Sequence, residues 1–327
     1  MEKMIVSSSP HIRSSAKTSA IMRDVLIALT PALIASVIFF GPRTIYVTGL
    51  CMIFSVLSEF LWQKITKRTV TVSDGTALVT GMLLGFNLPV SVPWWICLIG
   101  SCFAIIIAKQ FFGGVGHNFI NPALAGRAFL LASWPVLMTK WTDPVSAGLF
   151  VSPDAISSAT PLAILKNPEV GNLPEILDMF LGNVGGCIGE TSSLALLIGG
   201  AYLVIRKVIS VRIPLSFLAT VSVLTFIFPN IGLSPVESVA VNLFSGGLML
   251  GAIFMATDYV TSPITKSGQI IMGLGCGILT FVIRRFGGYP EGMSYAILLM
   301  NVATPLIDRY TQPKPFGFQK LKKGGAN

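Results

Sequence analysis

The chain has 327 residues, of which 53% are hydrophobic and only 11% are charged, and its formal net charge at pH 7 is +9. A soluble domain has about a quarter of its residues charged because its surface faces water, so this composition excludes a soluble protein. The lysines and arginines lie between apolar runs rather than on one face. Their placement argues against nucleic-acid binding and indicates an integral membrane protein, in which such charge sets orientation.

Apolar runs recur along the chain at the length of about 17 to 25 residues that a helix needs to cross a membrane. A polar, serine-rich tail of 23 residues comes first, and it contains no apolar segment of the signal-peptide type. We therefore predict a cytoplasmic tail followed by about ten transmembrane helices. The predicted spans are 24–41, 45–62, 75–88, 93–109, 119–138, 189–205, 212–228, 239–256, 269–284 and 291–307.

The basic residues also predict the orientation of these spans. With the N-terminus inside, 17 lysines and arginines fall in inner segments and 5 in outer segments. Cytoplasmic segments carry such an excess, so we predict a multi-pass protein of the inner or plasma membrane with both termini cytoplasmic. The pair Arg284–Arg285 lies in an outer segment and is the one misfit.

A long acidic segment divides the predicted spans into two sets of five. An odd number of spans per set inverts the second set, which is the arrangement of an inverted repeat. Gly81–Gly85 (GMLLG) and Gly247–Gly251 (GLMLG) stand at matching positions in spans three and eight, although such glycines also serve close helix packing. We predict an all-α integral membrane fold of two five-helix inverted repeats. Its regions are 1–138 (tail and first repeat), 139–188 (outer loop), 189–310 (second repeat) and 311–327 (basic cytoplasmic tail).

The five cysteines form no CxxC pair, and four of them lie inside apolar runs. This pattern is typical of packed thiols, so we predict no metal site and no iron–sulfur cluster held by this chain alone. Cys187, near a predicted membrane edge, stays open as one ligand of a site shared with another subunit.

Residues 154–162 of the outer loop, DAISSATPL, are the segment in which we expect chemistry. Small and hydroxyl residues let the backbone approach a bulky planar group, and the Thr160 oxygen can form a phosphoester. Pro161 biases Thr160 toward an extended backbone. By itself, however, a Ser/Thr–Pro cluster is also typical of a plain loop.

This segment resembles the flavinylation motif Asp-x-x-Ser-Gly-Ala-Thr of membrane subunits that carry FMN on threonine. That family includes the D subunit of the Rnf ferredoxin:NAD oxidoreductase and the B subunit of the sodium-pumping NADH:quinone oxidoreductase. Residues 8–13 with 21–25, and residues 113–124, are similar to further stretches of the family, and the resemblance covers essentially the whole chain. Ser158 stands where the motif usually has glycine. The chain length is closer to that of the Rnf D-type protein.

The resemblance implies that a separate flavin transferase esterifies Thr160 to FMN on the outer face of the membrane. Asp154, Ser157, Ser158 and Ala159 would form the rest of the attachment motif. It further implies a flavoprotein that relays electrons within an ion-exporting ferredoxin:NAD oxidoreductase. The implied partners are iron–sulfur membrane subunits, a second FMN subunit, an NAD-binding subunit and membrane lipid. We assign no catalytic residue, because the activity requires these partners.

Three residues of predicted span five and its start are further candidates. Asn118 and Asn121 match asparagines that lie near a non-covalent riboflavin in the quinone-reductase subunits; the alternative is helix capping, since Asn121–Pro122 is an ordinary helix start. Arg127 lies deep in the span, where a charge marks function or a buried partner. We predict Asp258 or Glu59 as its partner, in a structural ion pair, a flavin-phosphate contact or an ion path.

Two other functions remain open at this point. The first is the B subunit of the quinone reductase, which predicts a quinone site and a longer N-terminus. The second is a redox-silent transporter of the urea or ammonium type, which also has two five-helix halves but carries no chromophore.

Overall fold

The computed structural model describes residues 17–144, 159–167, 171–288 and 291–313. These residues form an all-helical fold in which the first eight helices lie before residue 190. The helices are α1 (Thr18–Phe40), α2 (Arg43–Ile65), α3 (Thr76–Phe86), α4 (Trp94–Gln110), α5 (Pro122–Ser133), α6 (Pro135–Met138), α7 (Pro161–Lys166) and α8 (Ile176–Leu181).

Six helices follow in the second half, and two segments of the fold are π-helical. The second-half helices are α9 (Ser193–Ile205), α10 (Arg212–Ile227), α11 (Pro235–Phe244), α12 (Leu248–Met255), α13 (Lys266–Phe286) and α14 (Met293–Thr311). The π-helical turns are Phe103–Gln110 of α4 and Gly251–Met255 of α12.

Every predicted span coincides with a helix or a pair of helices. By length and composition, α1, α2 and α13 can each cross a membrane alone, whereas α3, α4, α9 and α10 are apolar but shorter. Large apolar side chains such as Ile38, Ile53 and Leu215 point outward from these helices. A helical protein that exposes such side chains needs lipid rather than water around it, so the prediction of an all-α membrane protein is confirmed. The number of full crossings stays a prediction.

Predicted span eight is not one continuous helix, which corrects the prediction for residues 239–256. Helix α11 ends at Phe244, and α12 continues from Leu248 with its axis turned by 67°. Gly246, in the break, has a φ of +65°, which disfavours any residue with a Cβ. Predicted span five is broken too: α5 stops at Ser133 because Pro135 cannot continue its hydrogen bonds.

The two halves share one hydrophobic core. Its fully buried side chains include Leu84 and Leu124 from the first half and Phe217, Met255 and Ile297 from the second. Within each half the packing is alike, because α2 packs on α3 and α4 while α10 packs on α11 and α13. Helices α1 and α9, and likewise α5 and α14, join the halves. This matching is expected of repeats; their inverted orientation stays a prediction.

Candidate functional site

Thr160 is the N-cap of the short helix α7 in the predicted outer loop. Its backbone is extended, with φ −67° and ψ 152°, as the following proline predicts. The Thr160 Oγ1 accepts a hydrogen bond of 3.3 Å from the Ala163 backbone N–H, and the side chain is only 6% exposed. The Thr160 hydroxyl donates a hydrogen bond to no residue in the described ranges. A phosphoester at Oγ1 would therefore cost no donated hydrogen bond there.

A narrow cleft joins Thr160 to the carboxylates of Glu190, which is buried, and Glu291, which is half-buried. Thr160, Thr191, Glu190 and Glu291 all line it, together with Gly246 from the break between α11 and α12. Its volume of about 10 Å³ is close to the space of one water molecule. The cleft is therefore too small for an isoalloxazine ring, and a flavin on Thr160 would have to lie outside it.

Arg127 on α5 binds both carboxylates of this cleft. Its guanidinium is buried and donates to Asn87 Oδ1, to Glu190 Oε1 and to Glu291 Oε2. The Arg127 Nη2 also lies 3.5 Å from Cys187 Sγ, which in turn donates to the Asn87 carbonyl over 3.3 Å. We call these five residues the Arg127 cluster.

The Arg127 cluster corrects the predicted partners of Arg127. Asp258 bonds to Thr261, and Glu59 is held by Lys109 on α4. The Glu59–Lys109 contact is 2.9 Å long, and both side chains are at least 96% buried. Arg127 is therefore not the only basic side chain buried in the helical core.

Arg284 supplies a second positive charge beside Glu291. It donates to three backbone carbonyls, those of Asn242, Ser245 and Glu291, over 2.6, 3.1 and 3.1 Å. Two of these carbonyls belong to the last turn and the end of α11, where the helix breaks. Arg284 and Arg285 did not fit the expected excess of basic residues in inner segments. For Arg284 the reason is that its side chain is buried and binds the carbonyls at the end of a broken helix.

Two acidic residues of the site were missed by the sequence analysis. Glu190 is the second residue of predicted span six, and Glu291 is the first residue of predicted span ten. A carboxylate inside an apolar span is itself a signal of a buried partner, so both could have been paired with Arg127. The choice between them and Glu59 or Asp258 needed the tertiary structure.

Cys187, Glu190 and Glu291 place their ligand atoms within 4.8 Å of one another. Arg127 donates to all three, so a guanidinium already occupies the position that a cation would take. Cys187 is fully buried, and its position relative to the membrane edge stays a prediction. This arrangement favours a salt-bridge cluster rather than a metal centre.

Asn118 and Asn121 line a second cavity, larger than the Thr160 cleft, of about 290 Å³ at the N-terminal end of α5. The Asn121 side chain caps α5 by accepting from the N–H groups of Ala123 and Leu124, and it donates to Met255 O. The capping role is therefore confirmed. Asn118 donates to Ile120 O over 3.2 Å.

Polar groups stand at one side of this mostly apolar cavity. They include Lys109, Thr76 and Asp258. The Lys109 ammonium donates to Thr76 Oγ1 over 2.7 Å as well as to Glu59. An apolar cavity with a few fixed polar groups is the usual form of a cofactor site.

The remaining residues of the attachment motif are only partly described. Ala159 is half-buried beside Thr160. Asp154, Ser157 and Ser158 lie outside the described residues. At the other end of α7, Lys166 donates to Gly287 O, and burial lowers the pKa of its ammonium.

Known proteins resemble this chain over nearly its full length. The NQR2, RnfD, RnfE family matches residues 5–317. The chain is 52% identical to the D subunit of the Na(+)-translocating ferredoxin:NAD(+) oxidoreductase complex of Acetobacterium woodii, over 98% of this chain and 97% of the relative. It is 44% identical to the D subunit of the proton-translocating ferredoxin:NAD(+) oxidoreductase complex of Clostridium ljungdahlii, over 96% of each. It is 39% identical to the D subunit of the ion-translocating oxidoreductase complex of Pseudomonas aeruginosa, over 97% and 96%.

Proposed function

The chain belongs to the NQR2, RnfD, RnfE family, and from this premise we propose that it is the D-type membrane subunit of an ion-translocating ferredoxin:NAD oxidoreductase complex and carries FMN on Thr160. The observation that carries the proposal is the 52% identity to such a protein over 98% of the chain. The names of the Acetobacterium and Clostridium relatives differ in the ion they give, sodium or proton. We therefore propose ion coupling without assigning the ion.

The surroundings of Thr160 support its role as the attachment residue. Its hydroxyl proton is not donated to any described residue, and Thr160, with an extended backbone before α7, lines the cleft. When bound, FMN supplies one-electron transfer. The protein's part is to position the cofactor and set its electrostatic surroundings.

The Arg127 cluster supports a role of the protein in setting the electrostatic surroundings of the cofactor. Within the described residues, Glu190 and Glu291 are the two carboxylates of the cleft, and Arg127 and Arg284 stand beside them. Opposite charges in equal number keep the buried site neutral, so a phosphodiester on Thr160 adds one negative charge to a balanced environment. Fixed charges of this kind hold the electrostatic potential around a cofactor constant without reorganising.

The larger cavity supports a second, non-covalent flavin, for which we propose riboflavin. Asn118 and Asn121 both line it, and its volume of about 290 Å³ is near the lower limit of ordinary ligand sites. Because Asn121 already caps α5, we propose that Asn118 rather than Asn121 contacts this flavin directly.

The alternatives differ in their support. A quinone-reductase B subunit belongs to the same family, but the three relatives named above are D subunits of oxidoreductase complexes. A redox-silent transporter has no counterpart among these relatives. The first test is therefore the presence of a covalent flavin.

The test is denaturing electrophoresis of the chain co-expressed with its flavin transferase and viewed under ultraviolet light. We expect a fluorescent wild-type band and a dark Thr160→Ala band. The matched control is Thr191→Ala, because Thr191 is also a buried threonine of the same cleft. We expect this control to fluoresce like the wild type.

A dark wild-type band, or a fluorescent Thr160→Ala band, would overturn the assignment of Thr160. Acid extraction of the same samples measures non-covalent flavin separately. Riboflavin in the extract of both wild type and Thr160→Ala is the result expected for the larger cavity, and its absence from both would remove that part of the proposal.

A further inference from the structure

A basic groove lies between the α9–α10 turn and the segment that joins α12 to α13. It has a volume of about 700 Å³. Its polar lining consists of two basic side chains, Lys207 and Arg212, with groups that donate or accept hydrogen bonds. These groups belong to Ser210, Thr257, Tyr259, Ser262 and Gln269.

The groove carries positive charge without compensating acids. Of the residues that the structure describes, no Asp or Glu lines it. Two acids close to the groove are engaged elsewhere: Asp24 pairs with Arg206, the neighbour of Lys207, over 3.2 Å, and Asp258 bonds to Thr261 and lines the larger cavity. The groove is therefore suited to a negatively charged ligand.

Both basic residues have side-chain donors that are free to bind a ligand. Lys207 has a φ of +57°, and the hydrogen bond from Val208 N to Leu203 O fixes this conformation at the end of α9. Its ammonium has no ion pair or hydrogen bond with any described residue. Arg212 uses Nη1 on Ser210 and Gln269, which leaves its Nε and Nη2 free of partners in the described ranges, the pair of donors that binds a phosphate.

The wall of the groove and its surroundings are apolar. Val208 and Ile213 are buried in the wall, and the turn is locked to the opposite side by the hydrogen bond from the Tyr259 hydroxyl to Val208 O. Ile205 and Leu215, on the helices that flank the turn, are 78% and 64% exposed. Side chains so exposed on a membrane helix contact lipid chains.

We infer that this groove binds an anionic phospholipid, with the headgroup phosphate between Lys207 and Arg212 and the acyl chains along Ile205 and Leu215. Basic grooves between membrane helices on the cytoplasmic side bind such headgroups. The basic residues of this turn are also among those that predict its cytoplasmic location. Hydroxyls at the headgroup level complete the site, while the exposed apolar side chains select a lipid over a free anion.

The test is native mass spectrometry of the full-length chain in detergent, delipidated and then titrated with phosphatidylglycerol or phosphatidylcholine. The variant is Lys207→Gln/Arg212→Gln. Each basic side chain near an anionic headgroup contributes roughly fivefold to affinity, so we expect the double variant to bind phosphatidylglycerol about 25-fold more weakly than wild type. We expect phosphatidylcholine to bind both proteins weakly and alike.

The matched control is Lys64→Gln/Lys67→Gln at the end of α2. Lys67 has a φ of +54° and the same helix-end hydrogen bonding as Lys207, but neither lysine lines the groove. We expect this control to bind phosphatidylglycerol within about twofold of wild type, a change too small to reflect a lost contact.

Four results would overturn the inference. An equal loss of phosphatidylglycerol affinity in both double variants would indicate general charge attraction, and equal binding of phosphatidylcholine and phosphatidylglycerol would show that the headgroup charge is not recognised. Full displacement of phosphatidylglycerol by inorganic phosphate would indicate a site for a free anion. Loss of a partner protein from the assembled complex in Lys207→Gln/Arg212→Gln, with lipid binding unchanged, would indicate a protein interface. A thermal melt of each variant separates a lost site from a misfolded protein.

Discussion

At the scale of single residues, Arg127 holds together the end of the helical core next to Thr160. It links Asn87 at the end of α3 with Glu190 before α9 and Glu291 before α14. Glu190 Oε2 is buried without a hydrogen-bond partner among the described residues, so one oxygen of this carboxylate depends on charge compensation alone. Removing the guanidinium would leave the buried Glu190 carboxylate and the half-buried Glu291 carboxylate without this partner.

We expect Arg127→Gln to destabilise the protein by about 3–5 kcal/mol, since breaking a buried ion pair leaves an uncompensated charge. The triple variant Arg127→Gln/Glu190→Gln/Glu291→Gln should recover most of this loss, because it removes all three charges together. Thermal unfolding in detergent measures both.

The comparison for Arg127 is Arg206→Gln. Arg206 pairs with Asp24 at an exposed site, where an ion pair contributes about 1 kcal/mol or less. A loss in Arg127→Gln no larger than in Arg206→Gln would contradict the role of the Arg127 cluster.

At the scale of elements, the break between α11 and α12 brings one more segment to this cluster. The bend of 67° places Gly246 in the Thr160 cleft and Gly247 against Glu190. A Cβ on Gly247 would lie 2.3 Å from Glu190 Oε1, the same atom that accepts from Arg127. The broken helix and the ion cluster therefore depend on each other.

Gly247→Ala should cost about 1–3 kcal/mol, the usual range for overpacking, and should also reduce flavin fluorescence on Thr160 if the cleft positions that residue. Thermal unfolding and the fluorescent band measure the two effects. The control is Gly49→Ala, where a Cβ meets nothing within 4 Å; we expect it to stabilise α2 by about 0.5–1 kcal/mol. An unchanged melting temperature in Gly247→Ala would contradict the close contact.

At the scale of the whole molecule, helix α7 of the predicted outer loop packs on the second half. Leu162 of α7 is buried, and a Cβ on Gly246 would lie 2.7 Å from its Cδ1. Lys166 of the same helix bonds to Gly287 at the end of α13. The segment that carries Thr160 is thus attached to the second half, so its side of the membrane follows from the orientation of the helices.

The orientation can be measured by labelling single introduced cysteines with a membrane-impermeant maleimide in right-side-out vesicles. Asn172→Cys in the outer loop should react at once, and Lys67→Cys after α2 should react only when the vesicles are opened. Both positions are exposed or half-exposed, and four of the five native cysteines are buried, so background labelling is low. Labelling of Lys67→Cys in sealed vesicles would reverse the predicted topology.

The sequence alone predicted the class of protein, the positions of the helices and the candidate attachment residue. Hydrophobic content and the lengths of apolar runs depend on local composition, because each membrane helix satisfies its own backbone. The motif around Thr160 is likewise contiguous in the chain. The cap at Asn121–Pro122 was also among the alternatives, since capping acts within one turn.

The tertiary structure decided which charges meet and where a helix breaks. Arg127 lies 63 residues from Glu190 and 164 from Glu291, and no periodicity relates such positions. Glu59 and Asp258 were equally plausible partners by sequence, and only the tertiary packing of α5 selected Glu190 and Glu291 instead. The bend at Gly246 could not be predicted either, because an apolar run of the right length predicts one continuous helix. Only the structure shows that Gly246 lies against Leu162 and Gly247 against Glu190.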